Sequence, residues 1–351
     1  AFLDAPDEAV GSATPLNGPR ITYVSWAASC SRSDHTAREL GGQSHMVYAG
    51  SLGSRPSTIL FKYAAQWIRT ARILRQERPD IVFVMTPPLF AALPAFWYAW
   101  RRGKRVVLDA HTAAFLHPRW RSWQWLQQRL CRMAATTLVH NDHIGGLIRD
   151  GGGDVTLVPD VPIVFRHTQT FSRPPGFAVA VVCSFNDDEP LPAILDAARR
   201  MPDASFFLTG DPRHFPSRLA DQVPSNVTMT GFLSTEAYGG LLAGADVILT
   251  LTTRDHTMSR GGYEAIYQGT PVIVSDWPIL RAAFPDGAVH VDNTPDGIVQ
   301  GLERMKAGLE EYRAGAARLR DAKRRRWSDV RSRILARIES VTEHARSNGG
   351  R

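Results

Sequence analysis

The sequence predicts two α/β domains in series, each a parallel sheet covered on both faces by helices. Three observations predict it. The chain of 351 residues is too long for one ordinary domain and fits two. From residue 21 onward, short apolar runs alternate with amphipathic stretches. A proline-rich, aperiodic break over 159–176 interrupts that alternation, which then restarts. Strands apolar along their whole length belong to parallel sheets buried on both sides.

In the first half "ITYVSWA" reads as a buried strand and "SDHTARELGGQ" as a helix ending at Gly41-Gly42, with Ser33 or Asp34 as its cap. "SHMVYAG" is the next strand and "ILFKYAAQWIRTARILRQERP" a long helix. "DIVFVMT", "LFAALPAFWYAWRRG", "KRVVLDAH" and "WQWLQQRLCRMA" repeat the pattern, and "TTLVH" with "DVTLVP" completes the unit. The second half runs through "FAVAVVCSF", "LPAILDAARRM", "ASFFLTG", "FPSRLADQV", "NVTMTGF", "TEAYGGLLAGA", "DVILTLT", "SRGGYEAIYQGTPVIVSDW" and "AVHVD". A basic helical segment follows and is expected to cross back and brace the first half. The resulting division is a flexible leader over 1–20, domains over 21–165 and 176–325, and a C-terminal helix and tail over 326–351. Two such units place a ligand cleft at the carboxyl ends of their sheets.

Composition narrows the function. Hydrophobic residues at 44% and charged ones at 21% describe a globular chain, and no apolar run of about 18 residues marks a membrane span. The first 20 residues lack the basic-then-apolar order of a signal peptide. Cys30, Cys131 and Cys183 are scattered without metal-ligand spacing, which suits a reducing, cytoplasmic compartment. The net charge of +7 favours anionic partners such as phosphorylated small molecules or phospholipid, and the basic residues form no nucleic-acid module.

The stretch "TLTTRDHTMSRGGYE" leaves a buried strand and enters a helix through Ser259, Arg260, Gly261 and Gly262. Backbone amides at a helix start, clear of Cβ atoms, can hold phosphate oxygens, and Arg260 adds charge. Glu264, one turn in, can accept the vicinal hydroxyls of a ribose. The alternative is structural: Glu264 favours the positive end of the helix dipole and the glycines allow close helix–sheet packing. "NDDE" reads as a solvated loop rather than a metal cluster.

Glu264 with "GTPVIVSD" behind it resembles the donor-site signature of the GT-B glycosyltransferases of the group 1 family. "PDIVFVMTPPLFAALPAFWYAWRRGKRVVLDAHTAAFL" and "VVCSFNDDEPLPAILDAARRM" are similar to segments of the chitobiosyldiphosphodolichol β-mannosyltransferases within that fold. The resemblance spans roughly residues 21–295. It implies a GT-B fold, two Rossmann-like domains with parallel sheets facing a central cleft. It also implies sugar transfer from a nucleoside diphosphate sugar to a hydroxyl, with a polyprenyl-diphosphate-linked saccharide as the expected acceptor in glycan or cell-surface polysaccharide synthesis. No cofactor or bound metal is expected.

The resemblance points to His111 as the residue of the first domain nearest the transferred sugar, as base or as hydrogen-bond partner. Asp109 lies on the same side of its strand and can orient the imidazole, or be a buried structural carboxylate. Ser29, Ser31, Arg32 and Asp34 follow the first strand and can meet acceptor or diphosphate, with Asp34 a further candidate base. The family's paired glutamates in E-x7-E spacing place His256 at the earlier position, with Asp255 beside it. The diphosphate cations expected after the first strands of the second domain are missing from "CSFNDDEP". That leaves Arg213, Arg254 and Arg260, with Ser184 and Ser259 assisting. Clustered Trp, Phe, Tyr, Arg and Lys in the first half suit a peripheral surface on the inner face of the cytoplasmic membrane. A nucleotide-sugar epimerase of the same fold and a non-catalytic nucleotide-binding protein are the alternative functions.

Overall fold

The computed structural model describes residues 19–28, 30–50, 56–165, 169–173, 175–255 and 257–348. The leader, apart from residues 19–20, and both Ser29 and His256 lie outside the described residues. The chain divides into two compact units, one comprising residues up to Val161 together with those from Trp327 on, the other Pro162–Arg326.

The first unit contains β1 (Ile21–Ser25), α1 (Ser31–Glu39), β2 (Gln43–Met46), α2 (Pro56–Glu77), β3 (Ile81–Thr86), α3 (Ala92–Arg102), β4 (Arg105–Ala110), α4 (Ala113–Leu116), α5 (Gln124–Met133), β5 (Thr136–Val139), α6 (Asp142–Asp150) and β6 (Val155–Leu157). Its sheet has the order β2-β1-β3-β4-β5-β6 with every pair parallel. β1 is flanked by β2 on one side and β3 on the other, so the chain reverses its direction of travel across the sheet there. At such switch points the loops leaving the carboxyl ends diverge and open a crevice.

Strand β3, apolar up to Thr86, is buried at all six positions, and β5 is buried at all four although it begins with Thr136 and Thr137. Gly103, with φ of 62°, ends α3 in the left-handed conformation that a Cβ disfavours. α6 is absent from the sequence reading: it is short and carries Gly145 and Gly146, both poor helix formers, although Ile144, Leu147 and Ile148 keep helical spacing. Two signals were present: Asn141 caps the helix by accepting from the Ile144 amide at 3.0 Å, and parallel β5 and β6 need a crossover. α1 starts earlier than expected, with Cys30 rather than Ser33 or Asp34 at the cap position. Ser33 is buried and accepts a hydrogen bond from the Ser25 hydroxyl at 2.7 Å, so it fastens the helix to β1 instead of capping it.

The second unit contains β7 (Phe177–Val181), α7 (Leu191–Arg199), β8 (Ala204–Thr209), β9 (Val227–Gly231), α8 (Thr235–Gly244), β10 (Val247–Thr250), α9 (Arg260–Gln268), β11 (Val272–Ser275), α10 (Pro278–Ala283), β12 (Ala288–Val291) and α11 (Pro295–Ala307). Its parallel sheet has the order β12-β11-β10-β7-β8-β9, with the switch point between β7 and β10. "FPSRLADQV" forms a short 3-10 turn over Ser217–Gln222 rather than an α-helix. Helix α12 (Leu309–Asn348) follows. Trp327, Val330 and Ile334 on it are buried against Ile21, Tyr23, Phe83 and Leu138 of the first unit. The basic helix therefore does return to the first half, anchored also by Trp327 donating its indole N–H to Glu39 at 2.8 Å.

Candidate functional site

In the second unit Ser184 follows β7, and Ser259, Arg260, Gly261, Gly262 and Glu264 follow the neighbouring β10, whereas Arg213 follows β8. Ser259 ends the β10 loop and is the N-cap of α9, its hydroxyl accepting from the Gly262 amide at 3.3 Å and meeting the Thr250 hydroxyl at 3.0 Å. That hydroxyl was expected to assist phosphate binding, and the structure engages it in capping. Gly261 and Gly262 are both buried. A Cβ on Gly261 would stand 2.7 Å from the Val182 side chain just past β7, and one on Gly262 2.8 Å from the Phe284 ring. Close packing explains both glycines, and the same packing sets the start of α9 against the end of β7.

Glu264 is 7% exposed, so its charge needs partners inside the protein. Arg260 Nε donates to Oε1 at 2.7 Å and the Tyr238 hydroxyl to Oε2 at 2.6 Å. Each carboxylate oxygen has two lone pairs, so about two acceptor positions remain after these bonds. Burial first, then the neighbouring carboxylate, raises the Tyr238 pKa well above the ordinary phenol value, which keeps that hydroxyl a donor. Tyr238 comes from α8, and no sequence pattern marks it.

The acidic loop after β7 is not simply solvated, as the sequence suggested. The Glu189 carboxylate accepts from the Ser184 amide at 2.9 Å and the Asn186 amide at 2.9 Å, folding the loop on itself. Asp188 accepts from the Thr252 hydroxyl at 2.7 Å, joining the β7 loop to the β10 loop. Of the expected cations, Arg213 is highly exposed and paired with Asp211, Arg254 lies 3.8 Å from Asp188, and Arg260 holds Glu264. Among the described residues no group of three or more His, Cys, Asp or Glu could hold a metal ion.

In the first unit Asp109 near the end of β4 is fully buried. The Tyr23 hydroxyl donates to it at 2.5 Å, and Arg32 Nε from α1 donates at 3.1 Å. Burial on its own raises the Asp109 pKa, but Arg32, His111, His140 and the Tyr23 hydroxyl outweigh it and bring it down to about 2. His111 follows β4, with its amide donating to the Thr86 carbonyl at 2.9 Å. Its ring meets that of His140, which follows β5, edge to face at 5.3 Å. Burial first, then Arg32 and His111, lower the His140 pKa well below 6.5, so this imidazole is neutral. The structure thus brings together Asp109, His111 and Arg32, and adds Tyr23 and His140, which sequence reasoning missed.

Asp34 is not brought to this group. Its carboxylate accepts from the Ser44 hydroxyl on β2. β2 and β4 are separated by β1 and β3, a displacement of about 14 Å at usual strand spacing. Arg32, two residues away on the same helix, is the residue that reaches Asp109.

Comparison with known proteins gives these sites a context. Residues 23–160 match the model of Glycosyltransferase Family 4, and residues 192–336 that of a glycosyl transferase-like family. No curated protein is a significant match to the sequence. Among solved structures, sucrose-phosphate synthase from Thermosynechococcus elongatus superposes with a TM-score of 0.68 at 12% identity, covering 93% of this chain and 100% of that one. Anabaena Alr3699/HepE in complex with UDP and glucose gives 0.65 at 13% identity, covering 92% and 100%. A glycosyltransferase from Rickettsia africae gives 0.63 at 13% identity, covering 93% and 99%. Each half of the chain is thus similar to a glycosyltransferase family model, and the chain has the two-domain α/β fold of the GT-B glycosyltransferases.

Proposed function

We propose that the protein transfers a hexosyl group from a nucleoside diphosphate sugar to a hydroxyl of a saccharide, with a polyprenyl-diphosphate-linked saccharide as the acceptor. The observation that carries the donor half is Glu264. It is a buried carboxylate at the start of a helix beside a sheet's switch point, oriented by Tyr238 and Arg260, with lone pairs left for two ribose hydroxyls. The solved HepE complex with UDP and glucose supports a nucleotide-sugar donor for this fold. Arg260 and the amide-bearing start of α9 supply positive potential for a departing diphosphate without recourse to a metal. In the first unit His111 takes the acceptor proton or bonds the transferred sugar. Asp109, held by Tyr23 and Arg32, is a fixed negative charge nearby that favours an imidazolium. His256, outside the described residues, remains the candidate for the earlier position of the family's glutamate pair, and Arg213 and Ser184 are secondary donor contacts.

Isothermal titration of UDP-, GDP- and dTDP-sugars tests the donor assignment. Glu264→Ala is expected to weaken the selected donor by about 1.5–3 kcal/mol, the worth of hydrogen bonds to a charged group. An unchanged affinity in the folded variant would remove Glu264 from the site. His111→Ala is expected to abolish transfer while keeping donor affinity, and near-normal turnover would exclude the catalytic role.

A further inference from the structure

The first unit holds a cavity of about 320 Å³ at the carboxyl ends of β1 and β3, the switch point of its sheet. That volume is at the small end of ligand pockets, about 300–1,000 Å³, and accommodates one ring with a substituent. Three aromatic residues line it: Trp26 following β1, Tyr63 on α2 and Trp120 beyond α4. The Trp26 and Tyr63 rings lie 5.7 Å apart. The Trp26 indole N–H is already bonded to the Thr70 hydroxyl at 2.9 Å, so this ring offers its face rather than a donor.

Gln66 lines the same cavity and is 1% exposed. Its Nε2 donates to the Val47 carbonyl at 2.8 Å, which fixes the orientation of the amide. Its Oε1 accepts from no described residue. A buried acceptor without a donor costs free energy, and a ligand hydroxyl is the group that relieves it. Lys62 and Arg119 also line the cavity, each over an aromatic ring, Lys62 at 4.4 Å from Tyr48 and Arg119 at 5.9 Å from Trp120. Among the described residues neither is in an ion pair and no carboxylate lines the cavity.

These features select a ligand by elimination. An inorganic anion would meet the cations but leave the aromatic faces and Gln66 Oε1 unused. An apolar ring would cover the aromatic faces and leave Oε1 and both cations unmet. A neutral sugar would leave the cations without a counter-charge. We propose that this cavity binds a sugar ring bearing an anionic substituent. The C–H face of the ring lies on the aromatic walls, one hydroxyl donates to Gln66 Oε1, and the anion meets Lys62 and Arg119. This rests on the reading of the protein as a glycosyltransferase and names the acceptor class of its first unit. The anion can be the phosphate of a lipid-linked glycosyl phosphate or the carboxylate of a hexuronate.

The test is isothermal titration of the full chain with the 1-phosphates of glucose, galactose and mannose, with glucuronate, with the neutral hexoses and with inorganic phosphate. At least one anionic sugar is expected to bind about tenfold more tightly than its neutral hexose and than phosphate. A preference for a 1-phosphate assigns the lipid-linked source, and a preference for glucuronate assigns an acidic saccharide. Gln66→Leu and the exposed-side double variant Lys62→Gln/Arg119→Gln are each expected to lose that advantage while binding the selected nucleoside diphosphate sugar as the parent does. Equal binding of neutral and anionic sugars, binding of none, or parent-like binding by the Lys62/Arg119 variant would overturn the proposal. Failure of the parent chain to bind any of the UDP-, GDP- and dTDP-sugars would instead count against the glycosyltransferase reading, because the donor residues lie in the other unit.

Discussion

Asp109 and Glu264 are both buried carboxylates, and each accepts hydrogen bonds from an arginine and a tyrosine of other turns or elements. Removing one partner of such a group leaves a charge without compensation, at a cost of about 3–5 kcal/mol. The pH dependence follows from the shifts around Asp109. His140 has a folded-state pKa well below 6.5, so below about pH 6.5 the unfolded chain takes up a proton that the folded chain refuses. Stability therefore falls as pH drops from there. Asp109 is depressed to about 2 from 3.8, so its contribution is present above pH 4 and is lost between about pH 4 and 2. Denaturant midpoints should decline between pH 7 and pH 5, and His140→Phe should flatten part of that decline. His290 is shifted the same way, chiefly by burial, so some slope persists in the variant. An identical pH slope in parent and variant would contradict the assignment.

At the scale of elements, α9 shows how local sequence and packing divide the work. Its start after β10 through Ser259–Gly262 and the buried strand "VIVS" behind it were legible, and the structure adds Ser259 as cap and Gly269 with φ of 82° as the stop. The purpose of its glycines was not legible. Two readings fitted the sequence equally, phosphate approach and close packing, and only the distances to Val182 and Phe284 favour packing. Gly261→Val is expected to cost about 1–3 kcal/mol through overpacking against the end of β7, measured by thermal unfolding. A stability unchanged within error would show that the helix start has room. The missed helix α6 has the opposite origin: its caps and apolar spacing were present, but its central glycines are poor helix formers.

For the whole molecule, the net charge of +7 acquires a location on the first unit. Helices α2 and α3 pack side by side and expose Leu60, Phe61, Ile68, Trp97 and Trp100 together with Arg69, Arg72, Arg101 and Arg102. No helix among the described residues is long and apolar enough to cross a membrane. Aromatic side chains mixed with cations suit the headgroup layer of an anionic bilayer, where each Lys or Arg contributes about 1 kcal/mol. Sedimentation with phosphatidylserine liposomes should therefore retain the protein at low salt and release it as salt rises. Trp100→Ser/Phe61→Ser should weaken retention, and no retention at low salt would refute a membrane-facing surface.

The sequence by itself determined the two parallel-sheet units, nearly every strand, and the positions of Glu264 and His111 within them, because apolar periodicity and capping are local properties. It could not settle what Asp109, Ser259 or the "NDDE" loop do, since those answers depend on groups distant along the chain. Tyr23 lies 86 residues from Asp109 and Tyr238 26 residues from Glu264, and no short-range pattern encodes either pairing. Arg32 rather than Asp34 joins the buried group on β4 because α1 begins at Ser31 and turns Asp34 toward β2. Tertiary structure alone decided these partnerships, because a buried charge takes whichever donors the packed elements carry to it.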